Sequence, residues 1–269
     1  MSGPRLSASE SHHARQLAES FGSDAARYDR TRPRYPRAMV DAIFAAAPAA
    51  PAAPAVLDVG IGTGIAARPF RAAGCGVLGV DPDARMAEFA RRRGFEVEVA
   101  RFEDWDPAGR TFDVVIAGQT WHWVDPVAGA AKAAAVLRPG GRLAVFWNVF
   151  EFPGDLGAAV NAVYARVLPD SPFSGGTAGG LAAYAAQDAK AADGIRAAAA
   201  FGEPERLRFE WERRYSRDEW LEQVPTSGGH RRFPPGRLED LLAGIGAAID
   251  ARGGSFTMRY ISVVVTAAR

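Results

Sequence analysis

Three glycines alternate with single residues in Gly60-Ile61-Gly62-Thr63-Gly64, directly after the run Val56-Leu57-Asp58-Val59. Glycine has no Cβ and tolerates positive φ, so such a turn lets a nucleotide-like ligand lie close against the backbone. Asp81 follows Gly60 by about twenty residues, at the tip of the next apolar run, where a carboxylate can accept both hydroxyls of a ribose. Asp81 also suits a helix cap at the turn that Pro82-Asp83 makes. Phe102-Glu103-Asp104 offers a ring to stack on a base and polar groups to bond it, or an ordinary solvated loop. Trp121-His122-Trp123 adds a side chain that titrates near neutral pH, either as a proton acceptor or as a hydrogen-bonded member of an aromatic core. Position 65 is Ile, so the turn departs from the dinucleotide pattern Gly-x-Gly-x-x-Gly.

These groups need strands that end together. Alternating signals predict strands at 55–59, 76–80, 95–99, 113–117 and 142–148, with helices near 63–73, 83–93 and 126–137 between them. That rhythm predicts right-handed crossovers and a largely parallel sheet. Arg138-Pro139-Gly140-Gly141 reads as the turn before the fifth strand. Helical patterning from Ala14 to Ala47 is broken at Thr31–Pro36 by two prolines, and an Ala/Pro run from Ala45 to Pro54 reads as a connector. Residues 150–204 read as a helical insertion over the sheet. A strand over Arg206–Tyr215, a Ser216-capped helix at 217–223, a helix near 236–251 and a strand over 256–266 suit an antiparallel edge pair. The whole of 1–269 is expected to form one domain.

Composition narrows the function classes. A formal net charge of +1 gives no global field for nucleic acid or membrane surfaces. Lys132 and Lys190 are the only lysines. The single cysteine, Cys75, cannot form an internal disulfide, and the N-terminus lacks an apolar leader, which points to a cytoplasmic location. His12 and His13 read as exposed, His122 and His230 are far apart, and no metal-ligand spacing occurs, so no metal site is expected.

Taken together, these motifs resemble the class I S-adenosylmethionine-dependent methyltransferases from about residue 20 to the end, in a subgroup (type 11-like) that acts on small molecules. Asp58–Gly64 is similar to the family's Asp-x-Gly-x-Gly-x-Gly motif, Asp81 to its ribose-binding acid, and Leu137–Gly141 to the turn before its fifth strand. Tyr28, Arg32, Pro33, Tyr35 and Pro36 resemble an N-terminal lid, which would span 15–47. The resemblance implies a Rossmann-like doubly wound α/β sheet of seven strands in the order 3-2-1-4-5-7-6, the last antiparallel. It implies S-adenosyl-L-methionine as cofactor and S-adenosyl-L-homocysteine as product. Cofactor contacts are implied for Tyr28, Arg32, Asp58, Gly60, Ile61, Gly62, Gly64, Asp81, Pro82, Met86, Phe102, Glu103 and Gln119. Tyr28 and Arg32 would reach the cofactor carboxylate.

A sulfonium methyl is already activated, so alignment in line with the S–CH₃ bond is the first requirement. A neutral acceptor must also lose a proton, and His122 is the candidate base. An acidic acceptor needs none. The acceptor is expected above the fourth and fifth strands, under the insertion, against Trp121, Trp147, Asn148, Phe150, Phe152, Tyr164 and Phe173, or these aromatics simply pack the lid. Arg30, Arg34, Arg231 and Arg232 could hold a carboxylate. Two other readings share these residues: a protein of the same fold that binds S-adenosylmethionine without transferring methyl, as a structural ligand or for a cyclisation, and a nicotinamide oxidoreductase. The second is disfavoured by Ile65 and by the lack of an evident Tyr/Lys or Ser/Lys pair.

Overall fold

The computed structural model describes residues 21–45, 53–169, 181–227, 230 and 233–269. Its centre is a seven-stranded sheet: β1 (Ala55–Val59), β2 (Gly76–Asp81), β3 (Glu96–Val99), β4 (Phe112–Gly118), β5 (Leu137–Glu151), β6 (Glu205–Ser216) and β7 (Ser255–Ala268). The order is β3-β2-β1-β4-β5-β7-β6. Strands β1 to β5 pair in parallel, and β7 runs antiparallel to both β5 and β6. This is the fold class and strand order expected from the sequence.

Parity along the central strands assigns the two faces. Leu57, Val115, Ala117, Leu143, Val145 and Val265 pack with Ala130, Ala133, Ala191 and Ile195 on one side. Val56, Val114, Ile116, Ala144, Phe146 and Val264 pack with Met39, Val40, Ile43 and Phe70 on the other. Strands buried on both faces read as continuous apolar runs, which is why β1 and β4 were legible. The helices are α1 (Ala25–Thr31), α2 (Arg37–Ala45), α3 (Ala67–Ala72), α4 (Ala84–Arg92), α5 (Pro126–Val136), α6 (Leu156–Val167), α7 (Leu181–Ala197), α8 (Arg217–Gln223) and α9 (Pro235–Asp250). Helices α6, α8 and α9 enclose a third core over the ends of β5 to β7, around Leu156, Tyr215, Trp220, Ile245 and Tyr260.

Two boundaries differ from the expected ones. Helix α3 starts at Ala67 instead of 63, because Gly60, Gly62 and Gly64 all take positive φ, and that conformation cannot propagate a right-handed helix. The Arg138–Gly141 turn lies inside β5, where pairing with β4 jumps from Phe112↔Leu137 to Val114↔Arg142. The Ser216 cap is present as a full capping box with Glu219, so α8 starts where the sequence placed it.

Helix α7 belongs to the insertion, and alanines bring it close to α5. A Cβ on Gly194 would stand 2.5 Å from the Pro126 Cβ and 2.6 Å from its carbonyl oxygen. Gly194→Ala is therefore expected to push α7 outward at a cost of about 1–3 kcal/mol. For a domain of this size that lowers Tm by roughly 2–10 °C. Thermal unfolding followed by circular dichroism checks this, and an unchanged Tm would remove the close helix contact.

Candidate active site

The glycine turn hangs from the neighbouring strand. The Gly60 N–H donates to the Val80 carbonyl at 2.7 Å, with φ values of +68°, +56° and +84° at Gly60, Gly62 and Gly64. Each glycine answers to a different neighbour. A Cβ at Gly60 would lie 2.2 Å from the Thr120 side chain, and one at Gly64 would lie 2.5 Å from the Phe95 ring. At Gly62 nothing stands closer than 4.0 Å, so the missing Cβ direction points into open space. That space is a cavity of about 550 Å³ over the carboxyl ends of β1, β2, β4 and β5, within the range of small-molecule sites.

Asp81 closes the turn. Its carboxylate accepts the Gly62 N–H and the Asp83 N–H, each at 2.8 Å. Burial pushes its pKa up to about 6, against the opposing pull of those two N–H groups. Asp83 caps α4 through the Arg85 N–H, and a Cβ on Gly22 would overlap its carboxylate, so the 21–24 turn packs tightly there. Asp58 stands behind the turn and off the cavity wall. Neither of its carboxyl oxygens has a hydrogen-bond partner among the described residues, and burial, reinforced by the charge of Asp81, holds its carboxyl well above the ordinary range.

The remaining cofactor candidates surround the same space. Ile61, Pro82, Met86, Phe102, Glu103 and Gln119 line it, as do Tyr28 and Arg32. The Lys132 ammonium fastens the loop behind Phe102 through the Glu103 and Trp105 carbonyls. Gln119 ends β4 with φ at +57°, a left-handed conformation that costs a non-glycine residue about 1–3 kcal/mol. Its N–H donates to the Phe146 carbonyl at 2.8 Å and its side-chain amide to the Asn148 carbonyl at 3.2 Å. Gly64 faces Phe95 and does not line the cavity.

Helix α1 covers one side. Asp29, buried on its inner face, pairs with Arg68 of α3, whose guanidinium also donates to the Thr63 carbonyl at 3.2 Å. Arg34 and Arg93 lie 3.9 and 3.6 Å from the same carboxylate. On the opposite flank Arg27 donates to the Glu222 carbonyl, Arg30 pairs with Glu222, and Arg32 donates to the Thr226 carbonyl at 2.6 Å. The Arg32 Nε is buried without a hydrogen-bond partner among the described residues, and its guanidinium lies 4.9 Å from the Tyr28 ring centre. Arg30 and Arg34 are thus engaged by Glu222 and Asp29 and are absent from the cavity wall.

The acceptor candidates divide. Asn148, Phe150, Phe152 and Tyr164 line the cavity. Trp121 and Trp147 are core residues, 2% and 1% exposed, on the side of the sheet covered by α5 and α7. Strand parity explains Trp147, which shares a face with Val145. Asn148 also ties the lid to the sheet, donating to the Arg34 carbonyl at 3.0 Å. Phe173, Arg231 and Arg232, like His12 and His13, fall outside the described residues. Several wall residues had no local signal: Tyr184 and Gln187 of α7, Trp220 and Gln223 of α8, Tyr260 of β7, and His230. Tyr260 stands opposite Phe150 in the β5–β7 register, a neighbourhood that only strand pairing reveals. The Tyr164 hydroxyl lies 2.8 Å from His230 Nε2, which joins two residues far apart in sequence. Phe150, Phe152, Trp220 and Tyr260 form a connected aromatic wall with ring centroids 5.3 to 6.2 Å apart.

His122 sits on the short helical turn Trp121–Trp123 after β4. Burial, and then the charge of Lys190, push its pKa down to about 4, so the ring is neutral at pH 7. Its Nδ1 is buried without a hydrogen-bond partner among the described residues, as are Gln187 Oε1 and Trp220 Nε1.

The chain matches the family profile described as a methyltransferase domain over residues 57–145. It is 38% identical over 171 residues to an uncharacterized methyltransferase of Mycobacterium tuberculosis, covering 60% of this chain and 68% of that one. It is 32% identical to the demethylmenaquinone methyltransferase of Tropheryma whipplei, over 58% of this chain and 69% of that one. A solved structure from Anaeromyxobacter dehalogenans, assigned as a type II methyltransferase, superposes with a TM-score of 0.62 at 25% identity, over 88% of this chain and 97% of that one. With the strand order and the glycine turn already in place, the chain belongs to the class I S-adenosylmethionine-dependent methyltransferases.

Proposed function

We propose that this protein transfers a methyl group from S-adenosylmethionine to a flat, uncharged small molecule that carries a hydroxyl or amine. One observation carries the reading: a polar nucleotide-type cradle and an aromatic compartment are two ends of a single cavity. The cradle fits the donor. Gly62 leaves open space where a side chain would stand, Asp81 offers a carboxylate to a ribose, Phe102 offers a ring and Glu103 a polar edge to a base, and the buried Arg32 Nε suits a carboxylate. When bound, S-adenosylmethionine supplies a methyl on a positively charged sulfur, which needs no further activation.

The chain's own residues then position, desolvate and take a proton. Helix α1 and Arg32 cover the cradle and keep water from the transfer path. Phe150, Phe152, Trp220 and Tyr260 offer flat apolar surface, and among the described residues no carboxylate or ammonium stands among these aromatics. Gln187 Oε1 is a buried acceptor atom without a partner among the described residues, and His122 Nδ1 is an acceptor when the ring proton sits on Nε2, which favours an acceptor molecule bearing O–H or N–H. Neutral His122 takes the proton as the nucleophile forms its bond to the methyl carbon. A ring with so low a pKa is a weak base, which matches it to an acidic hydroxyl such as a phenol better than to an aliphatic alcohol.

The direct test is calorimetric titration with S-adenosylmethionine, followed by methyl-labelled donor against a panel of hydroxylated and amino aromatics. Binding without any labelled product would overturn the acceptor assignment, and absence of binding would overturn the donor assignment. Asp81→Ala is expected to weaken donor binding by more than about tenfold. Wild-type affinity should fall as pH drops below about 6, because protonation removes the acceptor that the ribose needs. Affinity that stays flat from pH 8 to 5 would take Asp81 out of the ribose contact. Gly62→Val should abolish donor binding, with circular dichroism checking the fold, because a β-branched residue is also strained at a φ of +56°. For His122→Ala the expected outcome is a rate loss of about a hundredfold or more at unchanged donor affinity. A full-rate variant would dismiss the base.

A further inference from the structure

The outer strand of the sheet has a property unrelated to the cavity. β6 pairs with β7 over 12 consecutive residues without a register break, and among the described residues no strand lies on its other side. Its outward N–H and C=O groups form a template for another strand. Proteins commonly blunt such edges with proline or a bulge, and β6 has neither. It carries instead both signs of charge, alternating with half-buried apolar residues: Glu205-Arg206-Leu207-Arg208-Phe209-Glu210-Trp211-Glu212-Arg213.

We propose that β6 is a homodimer interface, in which β6 of one chain pairs antiparallel with β6 of a second copy about a two-fold axis through Phe209. The pleat requires residues opposite each other to share a face, so the axis must pass through a residue and only a few registers exist. Centred on Phe209, every cross-strand pair is complementary: Arg208 meets Glu210, Arg206 meets Glu212, Glu205 meets Arg213, Leu207 meets Trp211, and Phe209 meets itself. Centred on Arg208, Glu210 or Trp211, the strand sets like charges against each other: Arg208 on itself, Glu210 on itself with Arg206 against Arg214, or Arg208 against Arg214 with Glu210 against Glu212. One register is thus selected by charge and confirmed by apolar pairing on the opposite face.

Both charges closest to the axis are on offer. Arg208 is exposed and makes no ion pair among the described residues; Glu210, also exposed, makes a loose ion pair with Arg259 at 3.8 Å, beyond hydrogen-bonding distance, while the outer Arg206 and Glu205 pair with Asp188 and Arg142 of their own chain. Leu207 and Phe209 pack inward against the core under α2, and Trp211 stacks on Tyr260 at 4.4 Å, so the strand is held straight from below. Pairing would join two seven-stranded sheets into one continuous sheet and cover the remaining exposed edges of these three side chains.

Light scattering on the full chain should give twice the 28.6 kDa chain mass. Arg208→Glu alone and Glu210→Arg alone each place like charges face to face twice, and each is expected to raise the dimer Kd by about tenfold or more. Arg208→Glu combined with Glu210→Arg exchanges the signs and should restore the dimer. Unchanged far-ultraviolet circular dichroism in the single variants separates loss of pairing from loss of folding, and a charge-reversal variant that misfolds is replaced by Arg208→Gln, which removes the pair without opposing like charges and is expected to raise the dimer Kd by about threefold. A wild-type monomer at its highest soluble concentration, a dimer indifferent to both single changes, or a double variant that stays monomeric would each overturn the proposal.

Discussion

A single carboxylate organises the cofactor end of this protein. Asp81 reaches from the tip of β2 to the Gly62 and Asp83 N–H groups, and so fixes the glycine turn against the start of α4. The Asp83 N–H is a buried donor and the Gly62 N–H a half-buried one, and both would be costly to leave unpaired. The arrangement also works against the carboxylate, because burial favours its protonated form. Between about pH 4 and 6 the folded state holds this proton more tightly than the unfolded chain, so ionising Asp81 costs stability as pH rises through that window. A site that is internally satisfied yet electrostatically uncomfortable is well suited to exchange partners with hydroxyl groups that arrive from outside.

The lid depends on that frame in turn. Helix α1 is short, and an isolated helix of its length has little stability in water. It is held by what it spans: the buried Asp29 joins it to Arg68 of the helix after the glycine turn, while Arg27, Arg30 and Arg32 join it to the segment at 222–226. Helix α1 therefore links the helix after the glycine turn to the segment at 222–226.

Much of this was readable before the structure, for a physical reason. The central parts of β1, β2 and β4 are buried on both faces, so their apolar runs are long, interrupted by Asp58 in β1 and Asp113 in β4, and the glycine turn has its own grammar. Helix α8 and β6 were legible from a capping box and from alternation. The acceptor end was not. Its walls come from α6, α7, α8, β5 and β7, and each contributes one or two residues whose local pattern only says that a face is apolar. Tyr260 meets Phe150 through strand pairing, His230 meets Tyr164 through a fold of the chain, and Trp147 turns away from the cavity by the parity of a single position. Such facts belong to tertiary registration and not to any window of sequence.

The arginine bias of the chain has a practical side. Its two lysines both act on groups that line the cavity: Lys132 clamps the loop behind Phe102 and Glu103, and Lys190 contributes to the field that keeps His122 neutral. Lys190 is exposed and Lys132 is half-buried under its two carbonyl partners. Amine-directed chemistry, whether a cross-linker, an acetylating reagent or an immobilising surface, therefore has almost nowhere else among the side chains to go. On most proteins such reagents scatter over an anonymous surface. Here they would report on, and perturb, the two ends of one site.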